Sequence, residues 1–282
     1  MAQEFLVTTD WLAERLDEPG IRIVDCRFSF ERDCRADYDD AHIPGAVYLD
    51  WSKDLTDLEH PVSGMIASPE VVSATMERLG IGDDTQIVAY DQEGGHFASR
   101  LWLVLARYGH GAQVKILDGG WTAWRQEGRL VSAAPAAEVP GVTFTIDSHE
   151  PEWVADADDV LAAIEADGAA VLDVRRMTEF TGEEVRAARG GRIPGATYLF
   201  WQDSLAWDDD RRFLPTDQLA ALAAAAGLTP ETEIITYCQG GVRAAHTAIA
   251  LMLAGYENVK VYDGSWAEWG NRDDLPIDTG AP

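Results

Sequence analysis

The sequence predicts an α/β protein of two tandem domains, each a parallel sheet flanked by helices, and three observations predict it. First, four stretches recur in one order at separations of 145 to 150 residues. IVDCR (23–27) answers VLDVR (171–175), and IPGAVYL (43–49) answers IPGATYL (193–199). QIVAYDQEGG (86–95) answers EIITYCQGG (233–241), and VKILDGGWTAW (114–124) answers VKVYDGSWAEW (259–269). Second, short β-branched runs alternate with longer helical patterns inside each copy, the pattern of parallel strands covered by helices. Third, an Ala/Pro/Val-rich stretch separates the copies. The expected layout is a first domain over 1–130, a linker over 131–151 and a second domain over 152–282.

Taken in order, the predicted strands of the first copy are Ile21–Val24, Ile87–Tyr90 and Val114–Leu117, with a helix over Pro69–Leu79. Those of the second are Val171–Leu172, Ile234–Tyr237 and Val259–Tyr262, with a helix over Pro215–Ala226. In such sheets, sites form where the carboxyl end of a strand gives way to a helix. Cys238 stands at such a point.

Composition narrows the function. The 282 residues are 46% hydrophobic, enough for a sizeable core, and no window approaches the roughly 18 apolar residues of a membrane span. The N-terminal stretch lacks a basic start followed by an apolar core, so the expected address is cytoplasmic. A net charge of −27 argues against nucleic acid or a membrane surface as partner. Cys26, Cys34 and Cys238 are odd in number and without metal-ligand spacing, so neither a disulfide framework nor a metal site is expected.

The segment YCQGGVRAAH (237–246) carries the chemistry. Gly240 and Gly241 let the backbone curl so that N–H groups turn inward, and the helix expected to begin near Val242 continues that anion nest. A sulfur held there is favoured as the nucleophilic thiolate, and Arg243 adds a cation with bidentate donors. The bland alternative is an inert packing cysteine, which would not need the glycine pair. Cys238 to Arg243 spans one residue fewer than the loop with which tyrosine phosphatases wrap a phosphoryl group, which favours sulfur over phosphate.

At these residues the sequence resembles the rhodanese family of sulfurtransferases, in its tandem-domain thiosulfate and 3-mercaptopyruvate members. The resemblance covers almost the whole chain: Asp173-Val-Arg175, the Glu179–Gly182 stretch, RIPGA (192–196), YCQGGVRA (237–244) and YDGSWAEW (262–269). It implies two rhodanese-like domains, of which only the second carries a nucleophile, since Asp91 follows the corresponding strand of the first. Residues 25–42 hold three Arg against six Asp/Glu, whereas residues 173–192 hold five Arg against four. Only the second copy is prepared for an anion.

The implied reaction is transfer of the sulfane sulfur of thiosulfate, through a Cys238 persulfide, to cyanide or a thiol, with no cofactor. Backbone N–H groups of Gln239, Gly240, Gly241, Val242 and Arg243, with Arg175, Arg176 and Arg192, are the expected binders of the small anionic donor. Arg186 and Arg189 complete the local cluster. Asp173 and Glu179 are expected to hold Arg243 or Arg175. His42 and His246 are weaker candidates as proton carriers, while Trp121, Trp124, Trp266 and Trp269 read as packing and Cys26 and Cys34 as bystanders. Mercaptopyruvate enzymes place a hydroxyl where this chain has Gly240, which favours thiosulfate and leaves mercaptopyruvate as the alternative. A non-enzymatic sulfur carrier or regulatory module is the reading from another class.

Overall fold

A computed structural model describes residues 5–146 and 151–281. Strands β1 (Leu6–Val7), β2 (Ile21–Asp25), β3 (Val47–Tyr48), β4 (Gln86–Tyr90) and β5 (Val114–Leu117) form one sheet in the order β1-β5-β4-β2-β3. Strands β6 (Val154–Ala155), β7 (Ala169–Asp173), β8 (Thr197–Tyr198), β9 (Glu233–Tyr237) and β10 (Val259–Tyr262) repeat that order as β6-β10-β9-β7-β8. Every pairing in both sheets is parallel. The two-residue edge strands were not expected, because two residues carry no periodicity.

The central strands are buried on both faces, which is why they read as unbroken runs, IVAY (87–90) and IITY (234–237), rather than alternating ones. Helices His96–Arg107 and Val242–Leu253 follow β4 and β9 directly and are buried along nearly their whole length. Trp124, Trp266 and Trp269 are fully enclosed in the two cores, as the packing reading expected, and Trp121 is half-buried. No helix among the described residues is long and apolar enough to cross a membrane.

Each compact unit is discontinuous in sequence. Among the described residues the first comprises 5–56, 66–146 and 206–213, and the second 57–65, 151–205 and 214–281. The repeats have therefore exchanged equivalent short segments. Much of the stretch read as a linker is fastened to the first unit: Arg22 donates to the Ala137 carbonyl at 3.0 Å, and Asp83 accepts from the Thr145 hydroxyl at 3.0 Å.

The exchanged segment in the first unit ends on a titrating group. Asp118 accepts from the Phe213 N–H at 2.9 Å, and burial, opposed by that bond and by Arg212, raises its carboxyl to about 6. A raised carboxyl binds a proton in the folded state that the unfolded chain releases, so stability falls as pH rises from the unfolded value through about 6 and is level above it. Asp118→Asn should remove that component. Denaturant unfolding across pH 4 to 7 should show the variant gaining about 1–3 kcal/mol on the wild type as pH rises; a constant difference would mean that Asp118 is ionised throughout.

Candidate active site

Two buried networks of identical design fix the ends of the central strands. In the second unit, Asp173 at the end of β7 takes a two-pronged ion pair from Arg175 (2.6 Å for the shorter contact) and the Tyr237 hydroxyl at 2.6 Å. The same hydroxyl accepts from the Ile193 N–H at 3.2 Å, tying in the RIPGA turn. Arg175 spends its remaining reach on the Gly191 carbonyl (2.7 Å) and lies 4.5 Å from the Trp266 ring. Burial and then the neighbouring Asp173 charge push the Tyr237 hydroxyl well up, so it stays neutral and donates. Asp25, Arg27, Tyr90 and Trp121 repeat this arrangement in the first unit.

This corrects the expectation for Arg175. Its presence as Arg27 in the acidic copy shows that it belongs to the framework, and at 1% exposure it has no free edge for an anion. Arg192 is similarly occupied, donating to the Gly280 carbonyl at 2.8 Å and covering the Phe180 ring. Arg189 holds the Leu275 and Trp269 carbonyls. Arg176 is exposed at the start of the helix Met177–Thr181, 3.9 Å from Glu184. The cluster counted along the sequence is dispersed by the fold.

The residue after Tyr237 is Cys238, buried at the mouth of β9. Its N–H and that of Gly241 both donate to the Ser265 hydroxyl at 3.2 Å. The Cys238 and Gln239 carbonyls accept from Trp266 N–H (3.0 Å) and Ala267 N–H (2.9 Å), so both face away from the loop's inner side. Gly241 takes φ 77° and caps the helix that follows. Among the described residues, the N–H groups of Gln239, Gly240, Val242, Arg243 and Ala244 have no acceptor within the protein. Gly64 of the same unit lies beside Gly240; a methyl on it would sit 3.5 Å from the Gly240 carbonyl.

Arg243 reaches from the helix's first turn to Glu179, with bonds of 2.8 and 3.1 Å. Arg186 approaches the same carboxylate at 3.6 Å, and its carbonyl accepts from the Gln239 amide at 3.1 Å. Burial pushes the Glu179 carboxyl up, but the Arg243 bonds overcome it and hold it below the usual range. Burial likewise depresses Arg243, yet Glu179 and the Cys238 sulfur reverse this and leave it firmly cationic. Glu179 thus supports the loop through Arg243, and Asp173 supports it through Tyr237.

The first unit shows what this loop encloses. Asp91 occupies the position of Cys238 and turns its carboxylate into its own loop, which is one residue longer before the capping glycine. One oxygen accepts from Glu93 N–H (2.7 Å) and Gly95 N–H (2.9 Å), the other from Phe97 N–H (2.8 Å) and Ala98 N–H (3.1 Å). The nest is real, and in the first copy it is filled by an anion of the chain itself.

The remaining candidates lie elsewhere. Both ring nitrogens of His42 face backbone carbonyls, Tyr38 at 2.7 Å and Ala134 at 3.0 Å, within the first unit. His246 is buried against Trp201. Burial and then Asp91 push the Cys26 thiol well up, and burial and then Asp37 raise that of Cys34, so both are held as thiols. Ser265 and Tyr237 were missed in the sequence. The signals were there: DGG of the first copy becomes DGS in the second, and a tyrosine precedes both Asp91 and Cys238.

Comparison with known proteins agrees with this geometry. The Rhodanese-like domain family matches twice, over residues 8–127 and 156–272. The chain is 35% identical over 285 residues to a 3-mercaptopyruvate sulfurtransferase of Escherichia coli, covering 99% of each chain. It is 36% identical over 291 residues to a thiosulfate sulfurtransferase of Corynebacterium glutamicum, covering 98% of this chain and 91% of that one. The crystal structure of SseA from Escherichia coli, described as a 3-mercaptopyruvate sulfotransferase, superposes with a TM-score of 0.83 at 33% identity, covering 93% of this chain and 99% of the other. With its sheet order repeated, its loop nest repeated and the domain matched twice, the chain belongs to the rhodanese family.

Proposed function

We propose that the protein is a thiosulfate sulfurtransferase whose only sulfur acceptor is Cys238. The observation that carries this reading is the Asp91 carboxylate. Its oxygens stand two bonds beyond Cβ, as does the outer sulfur of a persulfide built on Cys238. Of the four loop N–H groups that meet those oxygens in the first copy, the counterparts of three are unbonded in the second, and that of Gly95, the Gly241 N–H, donates to Ser265. A persulfide anion fills the second nest as the carboxylate fills the first.

The steps balance without a cofactor. The Cys238 thiolate attacks the outer sulfur of thiosulfate; the S–S bond breaks and its electron pair leaves on sulfite. The persulfide rests among the N–H groups of Gln239, Gly240 and Val242 to Ala244. A thiolate or cyanide then attacks the terminal sulfur, and the pair returns to Cys238. Arg243, fixed by Glu179, supplies the positive field over the loop. The donor is a small anion and the acceptor a thiol or cyanide, in a cytoplasmic setting supported by three free cysteines.

Mercaptopyruvate is the second reading, because the two named relatives are similar at nearly equal identity. The loop separates them. Thiosulfate leaves as sulfite without a proton, whereas mercaptopyruvate leaves as an enolate that must be protonated, and Gly240 offers no hydroxyl for that step.

Three outcomes follow. Mass spectrometry after thiosulfate treatment should find one added sulfur, on the peptide containing Cys238, and none anywhere in Cys238→Ser; sulfur on Cys26 or Cys34 with turnover retained would overturn the assignment. Arg243→Ala should lower catalytic efficiency roughly 10- to 150-fold, the loss of one charge-assisted contact of about 1.5–3 kcal/mol; a change below about twofold would reduce Arg243 to a packing role. With one acceptor, thiosulfate should be preferred over mercaptopyruvate by about tenfold or more, about 1.4 kcal/mol. In Gly240→Ser the new Cβ meets only the Ser63 carbonyl, at 3.8 Å, and the added hydroxyl should narrow that ratio. A wild-type preference for mercaptopyruvate would assign proton delivery to a group outside the loop.

A further inference from the structure

We propose that Ser265 is the positioning residue of the Cys238 loop, holding open in the second copy a nest that Asp91 holds closed in the first. The proposal rests on the reading of Cys238 as the sulfur acceptor. Ser265 lies at the start of the helix Ser265–Trp269, completely buried, with φ 47°. Among the described residues only Arg211 shares a positive φ without being glycine. The left-handed region carries a steric cost for such a residue that glycine would not incur. The equivalent residue of the first copy is Gly120, at φ 51°. A side chain kept at a glycine position, against that cost and out of contact with water, points to a role for its hydroxyl.

The hydrogen bonds define the role. The hydroxyl donates to the Tyr262 carbonyl at 2.8 Å, which orients its lone pairs toward the loop. It then accepts from both Cys238 N–H and Gly241 N–H at 3.2 Å. In the first copy the equivalent of the second bond is made by the carboxylate itself, from Gly95 N–H to Asp91. Cys238 has no such oxygen. Ser265 therefore supplies the missing acceptor from below, leaving the nest's other N–H groups for sulfur.

Ser265→Gly relieves the backbone and removes the hydroxyl, whereas Ser265→Ala keeps the strain and removes only the hydroxyl. The glycine variant should melt at or above the wild-type temperature. Both variants should show amide exchange at Cys238 and Gly241 faster by about tenfold or more. Persulfide formation at saturating thiosulfate should slow by about tenfold or more, with KM within about threefold. Unchanged amide exchange overturns the proposal, as does persulfide formation within about twofold of wild type, or a rate loss that merely follows a lowered melting temperature in both variants. Amide exchange is read without any turnover. A wild-type chain that takes sulfur from no donor would thus sink the reading of Cys238 while the hold of Ser265 on its two N–H groups is still measured.

Discussion

A curled run of backbone N–H groups removed from water must find an acceptor, and the rest of this structure is arranged around that demand. Each copy ends a central strand in such a curl and opens a buried helix from it. In the first copy a carboxylate at the strand end takes four of the N–H groups. In the second, a cysteine at the same place leaves most of their counterparts unbonded, and a serine from the neighbouring turn takes the remaining one, on Gly241, together with the N–H of Cys238 itself. The exchange of Asp for Cys, with a loop one residue shorter and Ser265 in place of Gly120, thus separates a closed, self-satisfied loop from one that leaves inward N–H groups open to an incoming anion. The self-filled nest of the first copy is a structural account of its lack of a nucleophile, stronger than the electrostatic repulsion that its acidic composition alone suggests.

The nest is only as well placed as the strand end that carries it. Asp173, Arg175 and Tyr237 lock the ends of β7 and β9 together one residue before Cys238. An ion pair so deeply buried gains little net stability over apolar packing, but breaking one partner leaves an uncompensated charge, so its geometry is enforced. Glu179 and Arg243 act on the other side of the loop by the same logic. Both carboxylates are consumed in holding cations still.

Much of this was legible in the sequence, for identifiable reasons. The duplication, the sheet class and the cysteine at a strand-to-helix junction depend on local pattern, and local pattern survives folding. Asp173 and Glu179 were expected to hold Arg243 or Arg175 without the partners being assigned, and the fold gives Arg175 to Asp173 and Arg243 to Glu179. What local pattern did not carry was three-dimensional. Arg175, Arg176 and Arg192 fall within a short span of sequence, but a strand end, a helix start and a turn send them to different partners. The exchange of segments 57–65 and 206–213 between the units has no sequence signal, because it depends on which unit each segment packs against. Ser265 was hidden because a serine in a left-handed turn is visible only as a departure from glycine in the other copy.

The central claim is that the Asp91 carboxylate marks the place of the outer sulfur. A crystal structure of the protein treated with thiosulfate tests this most directly. The account predicts a second sulfur on Cys238 turned into the loop, within hydrogen-bonding reach of the Gly240, Arg243 and Ala244 N–H groups, with the Asp91 loop unchanged. A persulfide turned away from those N–H groups, or an anion displacing the Asp91 carboxylate from its own nest, would contradict it.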